Sequence, residues 1–191
     1  MKEKSAKIIS YVTIAPVMAF CMLTFLYFAD SRHFQNSTYY ILAVICLTVI
    51  PILAYPVQPL LPKFKHEGRK GQRKLAFIFV ILGYTLGITS AFVFNAPEPY
   101  LIIYISYFLS GLILTIVNKL LKIKASGHAC GVMGPIIICI YFFGNYSWLF
   151  LLLLPIVFWS RMKIGRHTLK ELLLGATISL FCTLLSIIII L

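Results

Sequence analysis

Residues 160–171, which read SRMKIGRHTLKE, contain the side chains best suited to chemistry. His167 and Glu171 are four residues apart, a spacing that brings two side chains into contact on one helical face. A carboxylate that accepts a hydrogen bond from one ring nitrogen leaves the other nitrogen as a nucleophile or base. Arg161 lies upstream, and its planar guanidinium suits phosphate oxygens. The simpler interpretation is an interfacial pair that only solvates the start of a helix.

A second segment, KASGH at residues 124–128, supplies a different chemistry. Ser126 is a typical helix-capping residue, and Gly127 lets another group approach the backbone closely. The amides of such a helix start bind anions through their N–H groups and the helix dipole. His128, in the first turn, is suited to donating a proton to a leaving oxygen. Because the tripeptide alone is also typical of an ordinary helix start, its significance depends on lying beside residues 160–171.

A third segment, KFKHEGRKGQRK at residues 63–74, carries a dense run of lysine and arginine. Such a run usually anchors the topology of a membrane protein and meets anionic lipid headgroups. The alternative is that one or two of its side chains reach a bound phosphate. Arg73 is then the first candidate, because it is closest to the next apolar run.

Most of the chain is too apolar for a water-soluble domain. Of its 191 residues, 61% are hydrophobic and 12% are charged, whereas soluble domains carry about 25% charged residues. Runs long enough to cross a bilayer, which takes about 20 residues, are predicted at residues 8–29, 39–61, 75–95, 100–121, 128–143, 146–159 and 168–191. The fifth and sixth runs are short, so they are either tilted or form a hairpin that enters from one side. We predict an all-α, polytopic transmembrane helical bundle of six or seven spans, with residues 1–191 as a single membrane domain.

The basic residues fall on one side of this arrangement. Two apolar runs separate each chemistry-bearing segment from the next, so all three return to the side that holds the N-terminal segment. That side carries every lysine and arginine except Arg32. The positive-inside rule makes it cytoplasmic, and we expect the plasma membrane of a prokaryote. Basic residues in short clusters between apolar runs are not the stripe of a nucleic-acid-binding protein, so no nucleic acid partner is predicted.

Together, the motifs SGH and SR-x5-H-x3-E resemble the type-2 phosphatidic acid phosphatase superfamily. These are integral membrane lipid phosphate phosphatases, which share a helical core with vanadium haloperoxidases. The family pattern is K-x6-R-P, then P-S-G-H, then S-R-x5-H-x3-D. Ser160, Arg161 and His167 match the third part, with Glu171 in place of aspartate. The resemblance covers roughly residues 63–180.

The other two parts of the pattern are matched less completely. Residues 126–128 match the second part, but Ala125 stands where proline is usual. In the first part, Lys63 and Lys70 keep the seven-residue spacing, yet Lys70 is not followed by proline. Arg73 is the better placed arginine, and it too lacks a following proline. The family's site commonly faces away from the cytosol, whereas the charge distribution, including the N-terminal KEKSAK, predicts the cytoplasmic side.

The resemblance implies a metal-independent phosphatase that forms a phosphohistidine. His167 attacks phosphorus, Glu171 orients its ring, and His128 protonates the leaving alkoxide. The phosphate oxygens are then bound by Arg161, Ser126, Gly127, Arg73, Lys70 and Lys63. No cofactor or metal is expected, since the five acidic residues supply only Glu171 at this site and the five cysteines lie in apolar runs without metal-type spacing.

The expected substrate is a lipid phosphate monoester or diphosphate such as phosphatidate, phosphatidylglycerophosphate or an isoprenyl diphosphate, and the other expected partners are membrane lipids. The apolar spans do not specify one tail, and the oligomeric state is left open. The alternative function is that of a catalytically silent relative that binds or moves anionic lipids. A small transporter is a third alternative, which is weakened because the spans carry no further buried ionisable residues of the kind that transport pathways need.

Overall fold

The computed structural model describes residues 2–29, 34 and 36–191. Every regular element in these residues is helical. The α-helices, in chain order, are α1 Lys2–Val12, α2 Ala15–Ala29, α3 Ser37–Val44, α4 Ile50–Val57, α5 Pro62–Lys65, α6 Gly68–Val93, α7 Glu98–Thr115, α8 Gly127–Phe143, α9 Leu153–Lys163 and α10 Leu169–Ile190. A π-helical turn, Ile45–Val49, joins α3 to α4, and another, Ile116–Leu120, extends α7. Stretches of 3₁₀ helix cover Gln58–Leu60 and Gly144–Leu152.

Four helical segments in the described residues are long and apolar enough to cross a membrane. They are Ser37–Leu60, Gly68–Val93, Glu98–Leu120 and Leu169–Ile190. The pair formed by α1 and α2 makes a fifth if it counts as one bent span. Helix α8 is apolar but has only 17 residues, which is about 25 Å of helix. The prediction of an all-helical protein is confirmed for the described residues, and four or five of its helices, not six or seven, are long and apolar enough to span a membrane.

The predicted first span, residues 8–29, is two helices rather than one. Helix α1 ends at Val12, α2 begins at Ala15, and the two axes differ by 59°. Pro16 explains the break, because a proline ring clashes with the carbonyl four residues earlier and has no N–H to donate. The carbonyl in question belongs to Val12, where α1 ends.

The predicted sixth span, residues 146–159, is likewise not a single α-helix. Gly144 has a φ of +68°, a left-handed conformation that ends α8. The chain continues as 3₁₀ helix to Leu152 and becomes α-helical at Leu153. Pro155 is the third residue of α9, in the first turn, where its missing N–H would have no acceptor within the helix in any case. As a result, α8 and α9 form a hairpin connected by the 3₁₀ stretch.

Close helix contacts fix the elements that carry the candidate site. Helix α10 packs on α7 and α8, α2 packs on α8, and α1 packs on α9. At Gly175 in α10 an added Cβ would lie 2.2 Å from the backbone oxygen of Ser126. At Gly131 in α8 it would lie 2.4 Å from the Cβ of Ala15. Small residues therefore let the start of α10, the start of α8 and the start of α2 meet closely, as is usual for helices packed in membranes.

Candidate active site

The start of α10 brings His167 and Glu171 together. Thr168 is the N-cap, and its side chain accepts a hydrogen bond from the Glu171 amide while the Glu171 carboxylate accepts one from the Thr168 amide. This reciprocal pair is a capping box, which fixes the first turn of a helix. His167 precedes the cap, and its Nδ1 lies 2.8 Å from Glu171 Oε2. The predicted contact is present, although it is made across the cap and not along a helical face.

The hydrogen bond from Nδ1 determines what the other ring nitrogen can do. When Nδ1 carries the proton and donates it to Glu171, Nε2 of the neutral ring holds a free lone pair. The His167 side chain is only 12% exposed. Burial lowers the pKa of His167 below its usual range; the hydrogen bond to Glu171 opposes this, and the charges of Arg161 and Lys124 add to the lowering. The ring is therefore neutral and nucleophilic at neutral pH.

Lys124 joins this pair from the segment before α8. Its Nζ lies 3.0 Å from Glu171 Oε2 and donates a hydrogen bond to the backbone oxygen of Arg166 at 3.1 Å. The carboxylate of Glu171 is thus contacted by a histidine side chain, a lysine side chain and a backbone amide. Lys124 was not among the predicted site residues, since 47 positions separate it from Glu171 and only the shared side of the membrane connects them in the sequence.

Ser126 caps α8, as the sequence predicts. Its side chain accepts a hydrogen bond from the Ala129 amide, and the residue is fully buried. Its own amide donates to the backbone oxygen of Glu171 at 2.9 Å, so the first turns of α8 and α10 are tied together. At Gly127 an added Cβ would meet only Leu114, at an ordinary 3.6 Å. Packing therefore does not require glycine at position 127.

Arg161 and Ser160, at the end of α9, contact the N-terminal helix α1. Ser160 is fully buried and its hydroxyl donates to the backbone oxygen of Ala6 at 2.6 Å. One terminal nitrogen of Arg161, Nη1, donates to the hydroxyl of Ser10. The Nε of Arg161 is buried and meets no acceptor among the described residues. The guanidinium therefore retains a donor that nothing in the described protein satisfies.

His128 also contacts α1. Its Nε2 donates to the backbone oxygen of Ser10 at 3.1 Å. Arg161 and His128 therefore both contact Ser10. Since His128 lies at the start of α8 and Arg161 near the end of α9, the two ends of the α8–α9 hairpin lie side by side. Because the charge of Arg161 also lowers the pKa of His167, all three predicted reactive side chains lie at one end of the bundle.

The basic segment at residues 63–74 divides into two groups. The pKa of Arg161 is lowered first by burial and then by the positive charges of Arg69 and Arg73, so these two residues act electrostatically on Arg161. Lys63 and Lys70 instead act on Glu67, whose pKa is lowered first by its hydrogen bond from Lys74. The predicted ligand Arg73 is thus linked electrostatically to Arg161, and so is Arg69.

The helix geometry explains this division. Arg69 and Arg73 are four residues apart in α6 and share a face. Lys63 belongs to α5, which ends at Lys65, and α6 starts only at Gly68. The seven-residue spacing of Lys63 and Lys70 therefore does not place them on one helical face.

Ser10 is the contact that sequence reasoning missed. It is 8% exposed and lies on α1 between Ala6, which is fully buried, and Thr13, which is 8% exposed. Small residues at positions 6, 10 and 13 form a stripe in an otherwise basic and apolar helix, and this spacing was the available signal. Its target could not be identified, because 118 and 151 positions separate Ser10 from His128 and Arg161.

The described residues contain no group of three or more His, Cys, Asp or Glu side chains that could hold a metal ion. The chemistry available at this end of the bundle is a neutral imidazole oriented by a carboxylate, a second imidazole, a cluster of guanidinium groups and a helix start. The chain matches no protein-family model, no curated protein and no solved structure.

Proposed function

We propose that this chain is a multi-pass membrane phosphatase that hydrolyses a lipid phosphate monoester or diphosphate through a phosphohistidine. The observation that carries the proposal is the His167–Glu171 pair, joined at 2.8 Å, at the end of the bundle where Arg161, His128 and the capped start of α8 also lie. These are the groups that the resemblance to the type-2 phosphatidic acid phosphatases requires.

The first chemical step uses the free lone pair of His167. Nε2 attacks phosphorus, the P–N bond forms, and the bond from phosphorus to the ester oxygen breaks. The leaving oxygen takes a proton from the imidazolium form of His128, which is left neutral. Arg161, Arg73 and the first amides of α8 bind the three equatorial oxygens, where negative charge gathers in the transition state.

The second step regenerates the histidine. Water attacks phosphorus, its proton passes to His128, the P–N bond breaks, and inorganic phosphate leaves. The net reaction consumes one water and returns both imidazoles to their starting protonation. Glu171 stays bound to Nδ1 throughout and stabilises the ring while it carries the phosphoryl group.

The lipid character of the substrate is supported by the helices that carry the site. An apolar cleft of about 220 Å³ lies between α2, α8 and α9 and is lined by Met18, Pro135, Ile136 and Leu153 among others. Ile136 follows His128 by eight residues, or about 12 Å along α8. A chain attached to a phosphate at the site can therefore follow α8 into this cleft.

The proposal includes the finer topology. The α8–α9 hairpin supplies two short crossings in addition to the full-length spans, which gives six or seven, arranged as a core like that of the lipid phosphate phosphatases. The site then faces the cytoplasm of a prokaryotic cell. Phosphatidate, phosphatidylglycerophosphate and isoprenyl diphosphates are the candidate substrates.

The decisive experiment is a phosphate-release panel on the purified protein with these three substrate classes. We expect release from at least one, loss of release in His167→Ala and His128→Ala, and acid-labile phosphate trapped on the protein. Tyr146→Ala, at an exposed position in the 3₁₀ stretch, is the control that should keep its activity. Near-normal release in folded His167→Ala would rule out the mechanism.

A second function, binding or movement of anionic lipids without turnover, is favoured by one observation. Some basic residues of the 63–74 segment act electrostatically on Glu67 and others on Arg161, so the basic surface extends beyond the proposed site. The same panel distinguishes the two functions, because a silent relative binds these lipids and releases no phosphate from any of them.

A further inference from the structure

Helix α1 fills the space between two groups that the proposed mechanism assigns to the substrate. The hydroxyl oxygen of Ser10 accepts from Arg161 Nη1, and its backbone oxygen accepts from His128 Nε2 at 3.1 Å. In the proposed reaction, Arg161 binds a phosphate oxygen and His128 faces the leaving oxygen. The two oxygen atoms of Ser10 therefore stand where two oxygen atoms of a phosphate ester would be bound.

Ser10 is an incomplete substitute for a phosphate. The Nε of Arg161 is buried without an acceptor among the described residues, and a buried charged donor left unsatisfied is unfavourable. The positive charges of Arg69 and Arg73 also act on this guanidinium electrostatically. A phosphate group offers several oxygens and negative charge, so it satisfies this cluster better than one neutral serine.

Several features of α1 suit a helix that can move away from the site. It is separated from α2 by the break at Thr13, where the axis turns by 59°. Its contact with α9 uses small residues, including Ala6 opposite Ser160. Its outer side exposes Ile8 and Tyr11, which are 63% and 70% exposed.

Basic side chains complete the outer side of α1. Lys4 and Lys7 are exposed near its N-terminal end. A helix with lysines beside apolar and aromatic residues binds in the interface of an anionic bilayer. The membrane surface next to the site therefore offers α1 a place to bind when it moves.

We infer, on the basis of the proposed function, that α1 is a plug which the phosphate group of the substrate displaces. In the resting protein Ser10 occupies the anion subsite. Binding of a phosphate to Arg161 releases Ser10, frees His128 Nε2 to face the leaving oxygen, and transfers α1 to the adjacent membrane surface. The apparent affinity for phosphate is then reduced by the fraction of protein in which the plug is closed.

Thiol labelling tests the displacement directly. Ser10→Cys in the full chain, reacted with a charged thiol reagent, should label slowly without ligand because the position is 8% exposed. Inorganic phosphate should accelerate the labelling by about tenfold, the effect expected from losing one hydrogen bond to a charged group. The parent chain, with its five cysteines, gives the background. Ser186→Cys, fully buried in α10, is the control whose labelling should not respond.

A second arm replaces inorganic phosphate with vesicles that contain phosphatidate, and so distinguishes free phosphate from a lipid headgroup. Faster labelling of Ser10→Cys in either arm supports the plug. Unchanged labelling, or protection, in both arms overturns it, because Ser10 then remains in place beside the bound anion.

Kinetics provide an independent readout. Ser10→Ala removes the hydroxyl that competes for Arg161, so kcat/KM should rise by about tenfold. The control is Thr13→Ala, which should not raise kcat/KM, because Thr13 follows the last residue of α1 and its hydroxyl donates to the Ile9 backbone oxygen. A fall of kcat/KM in Ser10→Ala would overturn the inference, since Ser10 would then be orienting Arg161 for catalysis. If no variant releases phosphate from any lipid, the proposed function fails, while the labelling result still decides whether α1 is displaced.

Discussion

At the scale of single residues, the carboxylate of Glu171 organises the site. The same oxygen, Oε2, lies within hydrogen-bonding distance of His167 Nδ1, Lys124 Nζ and the Thr168 amide. The His167–Glu171 contact was predictable, because a four-residue spacing is a local property of the sequence. The contribution of Lys124 was not, because it depends on how α8 and α10 pack.

Burial is the main reason that the pKa of His167 is lowered, and the positive charge of Lys124 adds to this lowering. Lys124→Met should therefore raise that pKa. In the proposed mechanism only the neutral ring attacks phosphorus, so the rate should fall as the pH drops through this pKa. The acidic limb of kcat/KM should therefore lie below pH ~6.5, the usual value for histidine, in the parent protein and move to higher pH in Lys124→Met. Lys170→Met, exposed in the first turn of α10, should leave the limb in place.

Glu171 shifts the acidic limb of the pH dependence of kcat/KM in the opposite direction. Its hydrogen bond raises the pKa of His167, so Glu171→Gln should move the acidic limb to lower pH. The rate should also fall by about 100-fold or more, because the ring loses the acceptor that fixes its tautomer. A pH–rate profile of Glu171→Gln measures both effects. A limb that shifts to higher pH would contradict the assigned contact.

At the scale of elements, the site depends on close contacts between helix starts. The capped turn of α8 lies against α10 at Gly175, and Arg69 and Arg73 share one face of α6. Ser126 was identifiable as a cap from its residue type. The sequence did not show that Arg69, rather than Lys70, shares a helical face with Arg73, because this depends on α6 starting at Gly68.

Gly175→Ala should destabilise the protein and impair the site. The new Cβ would lie 2.2 Å from the backbone oxygen of Ser126, and backbone atoms cannot move aside as a flexible side chain can. Overpacking of this kind costs about 2 kcal/mol, which a melting curve in detergent detects. Gly127→Ala is the matched substitution with ordinary space. It should keep the melting temperature and lower only the activity, and an equal loss of stability in both variants would contradict this account.

Substitutions in the two groups of basic residues near α6 should differ in their effect on KM. Arg69→Gln and Arg73→Gln should each raise KM by about tenfold or more, as expected for loss of a charge that acts on bound phosphate. Lys63→Gln and Lys70→Gln should leave KM close to that of the parent protein, because these residues act on Glu67. Comparable effects in all four variants would favour a general electrostatic attraction of the substrate to this face.

At the scale of the whole molecule, composition and charge were enough to predict an all-helical protein with several spanning helices. The positions at which the predicted spans break were harder to predict. Pro16 and Pro155 are visible in the sequence, but prolines are tolerated inside membrane helices, so residue type alone does not show where a helix breaks. The contacts of Ser10 were beyond prediction, because they join α1 to the two ends of the α8–α9 hairpin.

The orientation of the whole bundle can be tested by labelling intact cells. His66→Cys, at an exposed position between α5 and α6, should react with an impermeant thiol reagent only after the cells are permeabilised. Glu98→Cys, exposed at the opposite end of α6 where α7 begins, should react from outside. The reverse pattern would place the site on the outer side of the membrane.

The capping box of α10 has a consequence for heat inactivation. One oxygen of Glu171 both closes the first helical turn and holds the His167 ring, so fraying of that turn and misalignment of the nucleophile are a single event. Helix ends open at a smaller free-energy cost than a whole fold does. Activity should consequently disappear on warming before the circular dichroism signal of the bundle changes, and the upper working temperature of this protein is set by one turn of helix.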